Sequence, residues 1–206
     1  MATLHYIYDP LCGWCYGAAP LVAASAQLSG LRLQLHAGGM LAGPRRQRAT
    51  PEFTAMVRQH VPRVVRLTGQ HFGPAYLEDL VANPGVTFDS EPPITAILAA
   101  GSQGPAMLAC LQRAHFLEGC AIWDRSVLNA LAAAVRIPEF EAAYRQAAGE
   151  PTWRHITASL ELLDRVGGAG FPTFALERGG VLRRLDCTPY LGDPQGWCAA
   201  LTAAVA

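Results

Sequence analysis

The chemistry in this 206-residue chain is concentrated in two cysteines three positions apart, Cys12 and Cys15. They sit in Asp9-Pro10-Leu11-Cys12-Gly13-Trp14-Cys15-Tyr16, after the apolar strand pattern Leu4-His5-Tyr6-Ile7-Tyr8 and ahead of an Ala-rich helical pattern over 18–28. A CxxC in that context reads as a redox motif rather than a coincidence of spacing. At a helix N-terminus the first N–H groups are unpaired and the macrodipole is positive, so a thiol there ionises more easily than a free one. Cys12 has that position and is the expected nucleophile. Cys15 lies one turn further along the same side, close enough to close a small disulfide, and is the expected resolving thiol. Cys12 would displace one sulfur of a partner's disulfide, and Cys15 would then release the mixed disulfide. Asp9 is expected to shape the turn before Pro10, the alternative being that it tunes the motif or receives a proton.

The elements that must position this pair follow in order. After Gly30, Leu31-Arg32-Leu33-Gln34-Leu35-His36 alternates with the period of a half-buried strand, and a right-handed crossover would lay it parallel to the first. His36 at its end is expected to be a satisfied or solvent-facing histidine, with an orientation toward the cysteines as the alternative. From about 50 to 166 the pattern is helical and shows no convincing strand. Helices are predicted near 51–67, 74–81, 92–100, 105–117, 124–135, 138–147 and 152–166, several opening with proline. Pro62 predicts a kink or break in the first of these, and Asp89-Ser90-Glu91 a capped helix start. A glycine-rich approach, Gly167-Gly168-Ala169-Gly170, then leads to Phe171-Pro172-Thr173-Phe174 and a hairpin through Gly179-Gly180. Asp193-Pro194 opens a last helix.

With 51% apolar and 16% charged residues, the chain can bury a core as one domain or as one domain with a large insertion. Sixteen basic residues, all arginine, balance sixteen acidic ones, and no basic run is long enough for a nucleic-acid or anionic-membrane footprint. The densest cluster, Arg45-Arg46-Gln47-Arg48, reads as a solvated loop, with phosphate or substrate binding as the alternative. No secretory signal precedes the first strand pattern, and no apolar run approaches the ~18 residues of a membrane span, so a cytoplasmic protein is expected.

The CxxC after the first strand, the helical insertion and Phe171-Pro172-Thr173 heading the later strand together resemble a DsbA-family thioredoxin-fold thiol-disulfide oxidoreductase. The likeness covers essentially the whole chain and is nearer to the cytoplasmic, FrnE-like branch. It implies an α/β thioredoxin fold with a large all-helical insertion between the second and third strands. Residues 1–40 and 168–206 would form the thioredoxin-fold domain and 41–167 the inserted helical domain. It also implies an enzyme, a protein-disulfide oxidase, reductase or isomerase. In that superfamily the proline is cis and lies against the cysteines, which implies a cis Pro172 and a Phe171 backbone that pairs with an extended substrate. Trp14 would offer an apolar contact to that substrate or simply pack over the helix start. The expected partners are protein or peptide thiols and disulfides, with glutathione or a thioredoxin-type protein as redox partner and no cofactor or metal. Strongly oxidising periplasmic members carry Pro-His between the cysteines where this chain has Gly13-Trp14. One source of thiolate stabilisation is absent, so a disulfide less oxidising than the extreme of about −120 mV is expected.

Four other cysteines are secondary. Cys110 and Cys120 would lie about 15 Å apart on one continuous helix and could not bridge without a bend. Cys187 and Cys198 flank the last turn and could pair, although free thiols are expected in a cytosolic protein. Two other readings compete. A glutathione-dependent transferase or isomerase, resembling the kappa class and 2-hydroxychromene-2-carboxylate isomerases, would typically carry serine in place of Cys12. A zinc-binding or chaperone-like module would need a second close cysteine pair, which is absent from the sequence.

Overall fold

The computed structural model describes residues 2–205. Strand β1 (Ala2–Tyr8) leads through helices α1 (Gly13–Gly17) and α2 (Ala19–Ser25) into β2 (Leu31–Ala37). The Ala-rich stretch is therefore broken and ends three residues before its pattern does. Pro20 has no N–H to offer the Tyr16 carbonyl one turn back, and that carbonyl accepts from Gln70 Nε2 at 3.3 Å.

The middle of the chain contains α3 (Pro51–Thr68), a π-helical turn at Ala75–Leu80, α4 (Glu91–Ala99), α5 (Gly104–Phe116), α6 (Arg125–Val135), α7 (Phe140–Ala147) and α8 (Glu150–Arg165). All the predicted helices are present, with ends shifted by a few residues, and α3 runs through Pro62 without a break. Strands are not absent here, as the pattern suggested. Two residues of β3 (Gln47–Arg48) pair antiparallel with two of β4 (Thr87–Phe88), a ladder too short for any period to reveal. The chain closes with the hairpin β5 (Thr173–Arg178) and β6 (Val181–Leu185), then α9 (Pro194–Val205). Asp193 Oδ1 accepts from Gly196 N at 2.9 Å, the capping role its sequence position suggests.

The main sheet has the order β2-β1-β5-β6, with β1 parallel to β2 and antiparallel to β5. This is a thioredoxin fold with helices inserted between its second and third sheet strands. One face of the sheet is apolar. Tyr6 stacks on Tyr8 and Phe174, Trp197 of α9 meets Phe174 edge-on at 5.1 Å, and Trp197 Nε1 donates to Ser25 Oγ of α2 at 2.8 Å. Burying Phe174 alone contributes roughly 1.5–3 kcal/mol. The opposite face, against α8, is polar. His5 Nδ1 and His36 Nε2 share a 2.9 Å hydrogen bond, His5 Nε2 pairs with Glu177 at 3.0 Å, and the His36 ring stacks toward His155.

Candidate active site

The loop from β1 delivers Cys12 as the N-cap residue of α1, with extended φ −83° and ψ 115°. Its Sγ accepts a hydrogen bond from Cys15 N at 3.4 Å and donates to the Phe171 carbonyl at 3.6 Å. The Phe171–Pro172 peptide bond is cis. Cys12 retains 6% of its surface and Cys15 none, so a reaction partner reaches Cys12 first. Burial pushes the Cys15 thiol well above its ordinary value, and its hydrogen bond and charge interaction with Cys12 push the same way. A proton thus stays on the inner sulfur.

α1 is wedged in place. Tyr16 stacks on Phe116 at 4.8 Å and meets Phe72 edge-on, and its hydroxyl donates to His71 O. Gly17 is forced by proximity: a Cβ there would stand 2.9 Å from Thr68 and Val64 of α3. Ahead of the motif, buried Asp9 does more than the expected turn. Oδ1 accepts from Leu11 N and Ser90 Oγ, both at 2.9 Å, and Oδ2 accepts from Met40 N at 2.5 Å. Burial raises its pKa to about 6, against the lowering effect of these donors and of Arg45. Ser90 does not cap α4, as its position suggested; its hydroxyl is committed to Asp9 and to Leu41 N. Asp89 takes the local turn role, accepting from Glu91 N.

Two cavities border this centre. The first, about 220 Å³, lies between the CxxC and α3 and is almost wholly apolar, lined by Cys12, Trp14, Met40, Phe53, Val57 and Phe72 among others. Trp14 is half-buried on its wall, with the Arg63 guanidinium 5.7 Å from the ring centre. The second, about 470 Å³, is more polar and is lined by Gly170 to Thr173 together with Arg184, Asp186, Cys187 and Thr188. The structure therefore brings Cys12, Cys15, Trp14, Phe171 and Pro172 to one place.

His36 is not at that place. It is held on the α8 face, where burial, His5, His155 and Arg165 lower its pKa to about 4. All six cysteines are free thiols. No group of three or more His, Cys, Asp or Glu residues among the described ones is arranged to hold a metal, and no single helix among them is long and apolar enough to cross a membrane. The residues that the sequence reading missed are the supports. Gly38 lies so close to the Phe171 ring that a Cβ would come within 2.2 Å of it. His155 Nε2 accepts from Ala37 N at 3.0 Å, closing the outer edge of β2 beside that glycine. A Gly38-Gly39 pair marked the strand end, but nothing in its spacing pointed to Phe171.

No protein-family model and no curated protein matches the chain in sequence. Among solved structures, a cytosolic disulfide reductase, DsbM, from Pseudomonas aeruginosa superposes with a TM-score of 0.92 at 47% identity, covering 98% of each chain. A structure of that reductase with GSH gives 0.91 at 46% identity. A candidate protein disulfide isomerase from Nitrosomonas europaea gives 0.80 at 22% identity, again over 98% of each chain. A 2-hydroxychromene-2-carboxylate isomerase gives 0.63 at 15% identity over 98% of each chain. The last two likenesses are of fold alone.

Proposed function

The chain belongs to the DsbA family of thiol-disulfide oxidoreductases, and from that premise we propose that it reduces protein disulfides through Cys12 and Cys15, at the expense of glutathione. The observation that carries this reading is the placement of Cys12 Sγ at a helix cap, 3.6 Å from the carbonyl before the cis proline and open to an apolar cavity.

The reaction begins with the Cys12 thiolate attacking one sulfur of a substrate disulfide. A Cys12–substrate disulfide forms, the substrate's S–S bond breaks, and the other substrate sulfur leaves as a thiolate that takes up a proton. The substrate chain lies along the backbone of Phe171, whose neighbour Pro172 supplies no N–H to compete. Cys15 then gives up its proton and attacks Cys12 Sγ. The enzyme disulfide closes, the second substrate thiol departs, and two electrons have passed to the substrate. Two glutathione molecules restore the dithiol through a mixed disulfide and leave as one glutathione disulfide.

The 470 Å³ cavity suits that small zwitterionic thiol, with Arg184 facing a carboxylate and Asp186 an ammonium. The similarity to a reductase described as cytosolic supports the same compartment for this protein. The deciding experiment equilibrates the Cys12–Cys15 couple in glutathione buffers. A potential between about −180 and −270 mV fits a glutathione-fed reductase, and one near −120 mV would make the protein an oxidant and overturn the direction proposed.

A further inference from the structure

Six of the sixteen arginines lie between Arg45 and Arg66, where Glu52 is the one carboxylate. The rest of this chain of zero net charge is correspondingly acidic. All six arginines are exposed, and among the described residues only Arg46 of the six has an ion pair, with Asp89 at 3.6 Å. The fold brings two of them, Arg63 and Arg45, toward the apolar cavity. α3 forms one wall through Phe53, Met56, Val57 and His60. Arg63 follows Met56 and His60 on the same stripe of α3 and extends over Trp14. Arg45 sits in the 3-10 turn just beyond the lining residue Leu41, near enough to act on the charge of Asp9. Met56, on the wall, is 44% exposed. The segment that reads in sequence as a solvated loop is thus one side of a basic rim around an apolar pocket, beside the reactive sulfur.

We infer that this rim and pocket form the docking surface for a protein substrate whose disulfide cysteine neighbours an apolar side chain flanked by carboxylates. The inference rests on the reading of Cys12 as nucleophile and specifies the class of substrate. The apolar residue enters the cavity beside Trp14, and the acidic residues face Arg63 and Arg45. Such charges on an open rim act mainly on encounter rate, and the effect is screened within about 10 Å at 0.1 M salt.

The test uses the full chain and three disulfide peptides identical except for flanking Asp, Ser or Lys residues around one Phe-Cys. At low ionic strength, kcat/KM for the Asp peptide should exceed that for the Lys peptide by roughly tenfold. This ratio should fall toward one at high salt, and likewise in Arg63→Glu and Arg45→Glu. Because the peptide series is read first in the unmodified protein, it does not depend on how the variants fold. Equal rates for the Asp and Lys peptides, or a preference that survives both high salt and charge reversal, would overturn the inference. So would a charge-reversal effect confined to glutathione exchange, which would make the rim a glutathione site. Exchange that persists in Cys12→Ser would instead sink the underlying mechanism, whatever the peptide preference.

Discussion

The two cavities, one lined by Cys12 and the other by Phe171 and Pro172 beside it, are built on opposite principles. The smaller is walled by side chains from the motif, the loop after β2, α3 and the aromatic cluster around Phe72 and Phe88, with scarcely a polar atom among them. The larger is walled by the backbone of the loop before β5 and by polar side chains at the end of β6. A wall of apolar side chains selects by shape and desolvation, whereas exposed backbone and charged groups select by hydrogen bonding. Under the function proposed above, the apolar cavity would receive the protein substrate and the polar one the small thiol.

The largest expected effect removes what the two regions share. Cys12→Ser should lower exchange with both peptide disulfides and glutathione disulfide by at least about a thousandfold. Cys15→Ala should let the substrate-bound mixed disulfide accumulate, visible as a mass adduct. Retained turnover in Cys12→Ser would show that the two cavities do not share a nucleophile.

A change of pH should separate the supports of the apolar side. His115 is enclosed by Tyr76, Phe88, Phe116 and Trp123, and burial lowers its pKa to about 4. Its neutral form is the folded one, so its contribution is full above pH 6.5 and is lost as pH falls toward 4, a difference on the order of 3 kcal/mol. Asp9 has the opposite sign. Its folded pKa, about 6, lies above the ordinary carboxyl value of 3.8, so stability is greatest below 3.8 and is lost as pH rises through 6, by a similar amount. The two slopes oppose each other in denaturant titrations between pH 4 and 6.5. Asp9→Asn should make the rise of stability with pH steeper over that window, and an unchanged slope would remove Asp9 from the balance.

Smaller effects should divide the cavities. Val57→Trp, which fills the apolar one, should raise KM for a Phe-bearing peptide disulfide by about tenfold and leave KM for glutathione nearly unchanged. Arg184→Gln should do the converse, with a rise of about threefold in KM for glutathione. Parallel changes in both constants for either variant would mean that the regions are not separate sites.

The chemistry was legible in the sequence because its signals are local. Cys12 and Cys15 share one turn, Phe171-Pro172 directly precedes its strand, and the hairpin after it has its own turn residues. Long-range partnerships were not legible. Asp9 and Ser90 are separated by 81 positions, and each has a sufficient local explanation, a turn and a cap, that hides the bond between them. The apolar cavity is assembled from residues on several elements, each of which alone reads as core. Gly38 and His155 were missed for the same reason, since a glycine beside a phenylalanine ring and a histidine on a strand-edge amide leave no periodic trace.

The sheet order also leaves two edges, and the chain treats them differently. Along β2 the amide of Ala37 is taken by His155 of α8. Among the described residues β6 has no strand beyond it, and Val181, 69% exposed, begins it. Arg183 and Arg184, both exposed, follow on the same strand. Two copies meeting edge to edge would bring like charges together, and adjacent arginines on an open strand are a guard against runaway pairing. The same short stretch that ends at the polar cavity thereby carries a charge barrier to edge-to-edge pairing.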